Sequence, residues 1–381
     1  MATEEIKTIL EDLVRFDSTT RNSTDPIVSH IEQLCEKAGV QSHRLPTATD
    51  GKENLLLYKG PHVDDSSGLT LCGHIDTVPA NTPAWDSNPW ELLELDGNWF
   101  ARGACDMKGF DAIALNAIFN ATDLNSPLAV LLTCDEEIGS HGAKHIKEHG
   151  LPFQIPSQMI IGEPTSLQIV RMHKSHISLF LTIEGVTAHT GMPHLGVNSA
   201  NAAGHVIVAL ELLANEMQAE HPETSQHFSD GTNFPVLTVA TIDCGSAINV
   251  VPGQCKLGIG LRLFPHQSVD SEIQRIREVV SQSCSLPWEL ELAGENPTMF
   301  TPDDSMLNEW LSSRLNQSES VGVAFGTDGG YLSQANYDCV LCGPGSIEVA
   351  HKPNEYVPIA EVQRCSEIIG DAISHFCKGR S

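Results

Sequence analysis

Four short apolar runs punctuate the chain: LTLCGH, AVLLTCDE, QMIIGEP and CVLCGPG, each bounded by glycine, proline or acidic residues. Continuous apolar runs of this length, without alternation, suit strands buried on both faces of a parallel sheet. Between them lie helical patterns such as MKGFDAIALNAIFN and SHGAKHIKEHG, and the first residues, MATEEIKTILEDLVRF, form an acidic amphipathic pattern. This alternation predicts an α/β fold, with a mixed, mostly parallel sheet flanked by helices. Ligands of such sheets collect at the carboxyl ends of the strands.

From His176 to Ala293 the periodicity changes. Strand ISLFLTIEGV, helix NSANAAGHVIVALELLANEM, strands VLTVATIDCG and CKLGIGLRLF, helix VDSEIQRIREVVSQS and strand WELELAG follow in turn. That β-α-β-β-α-β order is the split, ferredoxin-like α+β arrangement. It predicts an inserted domain over residues 176–293, with residues 1–175 and 294–381 forming the first domain. FGTDGGYL and CGPGSIEVAHKP then return the chain to the first sheet. A chain of 381 residues exceeds one ordinary hydrophobic core, which agrees with two domains.

Lys and Arg total 22 against 49 Asp and Glu, a net charge of -27 that argues against nucleic acid or an anionic membrane as partner. No apolar stretch reaches membrane-spanning length, and the acidic start is unlike a signal peptide, so a cytoplasmic address is expected. Cys72, Cys105 and Cys134 lie in or beside the apolar runs, as free buried thiols of a reducing compartment do. Cys339 and Cys342 form a Cys-x-x-Cys spacing inside an apolar strand with no second pair, which favours core packing over zinc or redox chemistry. His141, His145 and His149 recur at helical spacing and line an exposed helix.

Five segments end an apolar stretch with a residue able to bind a divalent cation: His74, Asp106, the adjacent Glu136 and Glu137, Glu163, and His351. Carboxylates gathered together repel, and no run of Lys or Arg accompanies these segments to compensate. Two imidazoles with several carboxylates suit a pair of divalent metal ions, zinc first, with cobalt or manganese as substitutes. His74 and Asp76 stand two apart at a strand end, so Asp76 can hold the imidazole from behind or the two can form a buried hydrogen bond in a core. Asp106 opens a helix, where it can cap, bridge two metals, or do both. Glu136 and Glu137 point in opposing directions on extended backbone, one to ligate and one to act as base.

In order, spacing and wording, GHIDTVP, GACDMKG, DEEIGSHGA, GEPTSLQIVRMHKSH, AHTGMPHLGVNS, INVVPGQCKLGIGLR and CGPGSIEVAHKPNEYV resemble the M20 metallopeptidases, most closely their acetylornithine deacetylase branch. The resemblance covers nearly the whole chain and implies a zinc-dependent amidohydrolase acting on a small N-acyl amino acid. It implies that His74 and Glu163 hold one metal, Glu137 and His351 the other, with Asp106 between them, Glu136 as general base and Asp76 behind His74. The inserted domain is implied to be a lid and dimerisation domain. Its His189 is similar to a histidine that reaches the neighbouring subunit's site, which implies a homodimer. Asn249 and Arg262 resemble polar groups that grip the substrate carboxylate, and Gly343 and Gly345 resemble backbone positions beside it. Gly260 departs from the acidic residue many relatives carry two positions before that arginine, which bears on side-chain specificity alone.

Overall fold

The computed structural model describes residues 2–62, 67–80, 82–228, 231–319 and 321–379. They fall into two compact units, Met1–Met172 with Met299–Val321 and Thr327–Ser381, and His173–Thr298 with Gly322–Gly326.

The first unit is built on a nine-stranded sheet whose main path runs 41–46, 53–59, 128–133, 69–74, 158–164, 338–343, 170–173 and 299–300. Its four central strands, Leu128–Thr133, Leu69–His74, Gln158–Pro164 and Asp338–Gly343, are mutually parallel and correspond to the four apolar runs. Every residue of Leu69–His74 and Leu128–Thr133 is buried, because helices cover both faces and no position along these strands can be polar at low cost. The flanking strands Gln41–Pro46 and Glu53–Lys59 run antiparallel, and the outermost carries the half-exposed sequence QSHRLP. The fold is therefore α/β with a mixed, centrally parallel sheet. Of the two return segments, CGPGSIEVAHKP begins on a central strand, whereas Gly329–Gln334 of FGTDGGYL is a short helix.

Helix Lys108–Asn120 is buried along almost its whole length, with a correspondingly weak amphipathic pattern, since it packs on the sheet and under helices Ala2–Val14 and Ile359–Phe376. It approaches the sheet closely at Gly162, where an added Cβ would lie 1.8 Å from the Phe110 ring. Only a residue without a side chain leaves that ring room.

The second unit is a four-stranded antiparallel sheet in the order 236–244, 254–262, 176–184, 288–296. With its two helices it follows the β-α-β-β-α-β succession in the ferredoxin-like strand order. Ile177, Leu179, Leu181 and Ile183 are buried while the residues between them are not, the period of two expected when helices cover one face only. Both helices start on side-chain caps. Asn198 accepts from the amides of Ala200 and Asn201, and Ser268 accepts from Ser271. Among the described residues no helix is long and apolar enough to cross a membrane.

The tight Phe110 contact yields a stability prediction. Gly162→Ala should destabilise the protein by about 1–3 kcal/mol through overpacking, read as a lower urea midpoint at unchanged m-value. An unshifted midpoint would show that the ring yields freely.

Candidate metal centre

The parallel strands deliver the acidic and imidazole groups to one edge of the first unit. His74 is the last residue of its strand and Glu163 the sixth of Gln158–Pro164. Asp106 lies in the turn before helix Lys108–Asn120, and Glu136 and Glu137 follow Leu128–Thr133. His351 arrives on the loop after Asp338–Gly343.

These residues meet as two groups of donor atoms. His74, Asp106 and Glu163 form one, Asp106, Glu137 and His351 the other, and within each group the donor atoms lie within 4.8 Å of one another. Asp106 is shared, and its two oxygens face different partners. Oδ1 lies 3.0 Å from His74 Nε2, and Oδ2 lies 3.1 Å from His351 Nε2. His351 Nε2 is also 2.9 Å from Glu137 Oε2.

The electrostatics of this cluster are those of a site short of positive charge. Burial pushes the carboxyls of Glu136 and Glu163 well above the usual range, reinforced by repulsion from Glu163 in the first case and Asp106 in the second. Burial acts on Asp106 in the same direction, but its bonds to His351 and His74 overcome it and hold that carboxyl below its ordinary value. Bonds to Asp106 and Glu137 raise the His351 imidazole to about 10. Burial disfavours a charged His74, yet its neighbouring carboxylates still lift it well above the free value. Glu137 Oε1 is buried and has no hydrogen-bond partner. A donor set of imidazoles and carboxylates with an orphaned oxygen and mutually repelling acids fits a pair of divalent cations.

The structure differs from the sequence expectation at four of these positions. Glu136 and Glu137 are not on extended backbone but in a single 3₁₀ turn, Glu136–Ile138, entered through Asp135 in the left-handed region at φ 56°. Asp106 makes no cap for its helix, whose N-cap position is Met107 with no side-chain cap bond; the Asp106–Met107 peptide is cis. Asp76 sets its backbone oxygen, not its carboxylate, closest to His74 Nδ1, at 3.0 Å against 3.7 Å. The Asp76 carboxylate accepts instead from the amides of Glu136 and Glu137, at 3.2 and 3.3 Å. It thereby ties the end of the His74 strand to the turn that bears Glu136 and Glu137.

Further supports escaped the sequence reading. Glu355 accepts from the amides of Cys105 and Asp106, at 2.9 and 3.1 Å, and from the buried Arg102 guanidinium. Lys52 forms a buried ion pair with Asp135 at 2.7 Å, bracing the left-handed turn, and also donates to the Thr20 carbonyl. Asp328 accepts from Thr133 and keeps a buried oxygen without a partner. Only Asp328 carried a legible signal, a charge inside the glycine-rich stretch GTDGG.

His189, Asn249 and Arg262 belong to the second unit. His189 is exposed on the two-residue strand Ala188–His189, which pairs with Val250–Val251, and Thr190 donates to the Asn249 carbonyl at 3.1 Å. Arg262 ends strand Gln254–Arg262, half-buried, and burial lowers its pKa. Gly343 and Gly345 use their amides within the chain, on Thr165 Oγ1 at 3.3 Å and Glu361 Oε2 at 2.7 Å. Neither amide is left free, and an added Cβ would lie 2.1 Å from the Gly162 carbonyl at Gly343 and 2.5 Å from Cys105 Sγ at Gly345. Cys339 and Cys342 are free, buried thiols, and His145 and His149 stack on the outside of helix His141–His149.

The sequence profile of peptidase family M20/M25/M40 matches residues 70–375. The chain belongs to that family. It is 33% identical over 382 residues to an acetylornithine deacetylase of Myxococcus xanthus, covering 98% of each chain. Its fold is similar to that of an M20-family metallo-carboxypeptidase from Sulfolobus solfataricus, with a TM-score of 0.78 at 17% identity, covering 98% of this chain and 99% of that one. A dinuclear metal-binding M20 peptidase of Bacillus subtilis superposes with a TM-score of 0.70 at 15% identity, over 98% of this chain and 97% of that one.

Because the two donor groups share one carboxylate, their loss should be unequal. Titration calorimetry of the metal-stripped protein with zinc should give two equivalents for the wild type, one for His351→Ala, and weakened binding at both positions for Asp106→Asn. Unchanged stoichiometry in Asp106→Asn would remove the shared role.

Proposed function

We propose that the protein is a divalent-metal amidohydrolase that removes the acetyl group from N2-acetyl-L-ornithine, giving L-ornithine and acetate as a step of arginine biosynthesis. The observation that carries the reaction is Asp106, whose two oxygens serve two adjacent donor groups. The relative in Myxococcus xanthus supports the substrate.

In this reading His74 and Glu163 hold one cation, Glu137 and His351 the other, and Asp106 lies between; zinc suits the donors best, with cobalt or manganese as substitutes. Bound, such a pair acidifies a water and polarises the acyl carbonyl. The remaining work belongs to the chain. Glu136, placed on the same turn as the ligand Glu137, takes the proton of the attacking water and passes it to the departing amine. Asp76 keeps that turn and the His74 strand end in register. Arg262 receives the substrate α-carboxylate in a forked pair of hydrogen bonds, assisted by Asn249. In support, Arg262 makes no ion pair with any described residue. His189, exposed on its strand, donates to the developing oxyanion in the neighbouring subunit of a cytoplasmic homodimer.

One observation favours a wider choice of substrate. Beside Gly260 an added Cβ would meet nothing nearer than the Thr238 carbonyl at 4.0 Å, so the chain leaves open space two residues before Arg262. N-succinyl-diaminopimelate, acylcitrulline and dipeptides are the competitors that such space admits.

Two measurements test this function. Across a panel of N-acyl amino acids and dipeptides, kcat/KM should be highest for N2-acetyl-L-ornithine; faster turnover of the succinylated substrate would replace the assignment. Glu136→Gln should retain its metal while losing about 10²–10⁴ in kcat, and a variant turning over at the wild-type rate would show that another group moves the proton.

A further inference from the structure

The second unit contains three thiols that the proposed chemistry does not use, and two of them, Cys244 and Cys255, face each other across neighbouring strands. Cys244 ends strand Val236–Cys244, Cys255 is the second residue of strand Gln254–Arg262, and the antiparallel register sets them directly opposite each other. Opposed residues of an antiparallel pair have Cα atoms about 4.5–5.5 Å apart, inside the roughly 4.4–6.8 Å window that a disulfide spans. Both side chains lie on the face that carries the helices. Cys255 is part of the apolar core, and Cys244 packs against that core while remaining partly open to solvent. The Cys244 thiol adjoins that of Cys255, and Cys244 Sγ donates to the Gln254 carbonyl at 3.5 Å.

The pair is unequal in reactivity. Burial, helped by the adjoining thiol, pushes Cys255 up to about 12, which keeps it protonated and inert as a first attacker. Cys244 is the sulfur that solvent reaches.

We propose that Cys244 and Cys255 form a thiol–disulfide exchange site that accepts low-molecular-weight disulfides of the glutathione type and closes a cross-strand disulfide. The Cys244 thiolate attacks one sulfur of the small disulfide, forming a mixed disulfide and releasing one small thiolate, which takes up the proton Cys244 lost. The Cys255 sulfur, now beside an activated partner, displaces the second small thiolate and gives up its own proton to it. The protein dithiol loses two electrons and two protons, and one small disulfide becomes two thiols. The resulting ring encloses residues 245–254, including the wholly exposed Ile248, Asn249, and the strand Val250–Val251 that pairs with Ala188–His189. Oxidation therefore restrains the loop that carries Asn249 and backs His189. Its effect on turnover rests on the roles proposed for those two residues; the disulfide itself does not.

The full-length protein, equilibrated in buffers of graded reduced-to-oxidised glutathione ratio, trapped with an alkylating agent and digested, should yield a peptide linking Cys244 to Cys255. The intact mass should fall by two hydrogen atoms and recover with dithiothreitol. Cys244→Ser should stay reduced, and Cys255→Ala should stop at a glutathione adduct on Cys244. A wild-type protein that stops at the adduct, links Cys244 to a different cysteine, or remains reduced in oxidised glutathione would overturn the proposal. Oxidised protein is expected to show a severalfold lower kcat/KM, restored by reduction. Formation of the linked peptide with full activity would leave the exchange site standing and show that restraining this loop does not affect turnover.

Discussion

Mutual repulsion among buried carboxylates is the constraint that organises the first unit. Glu136, Glu137, Glu163, Asp106 and Asp76 converge where four parallel strands end, in surroundings too dry to screen them. Like charges at this separation cannot all ionise without a compensating cation, which is why burial and repulsion drive Glu136 and Glu163 toward their neutral forms. Everything around the cluster serves to hold an arrangement that the charges themselves oppose. The apolar strands fix the Cα positions, the Asp76 carboxylate clamps two amides, and Arg102 and Lys52 bring buried ion pairs with Glu355 and Asp135 to its rim. A buried pair of that kind contributes little net stability, but losing one partner would strand a charge in the interior. Its value lies in geometry.

The sheet was legible because burial on two faces leaves no freedom in composition. LTLCGH, AVLLTCDE, QMIIGEP and CVLCGPG could hardly be anything but central strands, and once they were strands, the acidic and imidazole groups at their ends had to share an edge. The antiparallel flanking strands were less visible, since Gln41–Pro46 is half-exposed and mixes charge with apolar residues. In the second unit the order of strand and helix patterns gave the ferredoxin-like arrangement, and the structure adds the alternation of buried Ile177, Leu179, Leu181 and Ile183 that marks its one covered face.

What sequence could not reveal was backbone conformation at single residues and partners far apart in the chain. Adjacency of Glu136 and Glu137 suggested extended backbone, yet Asp135 turns left-handed and converts the pair into a 3₁₀ turn, a conformation that Lys52 stabilises from more than eighty positions upstream. Asp76 looked like a companion to His74 because it stands two residues away, while its carboxylate in fact serves amides sixty positions downstream. Glu355 carried no signal of its own in the sequence, and its burial against Arg102 and the Asp106 amide is visible only in the fold.

The loop that carries His351 also carries Glu355, so a single short stretch both contributes one member of a donor group and anchors the residue that the two groups share. His351 and Asn354 within it adopt positive φ, 61° and 59°, a conformation that costs a side-chain-bearing residue roughly 1–2 kcal/mol. An ion held by His351 would sit on the same stretch that grips the Asp106 amide, so its binding would favour the conformation of the segment that anchors the shared carboxylate.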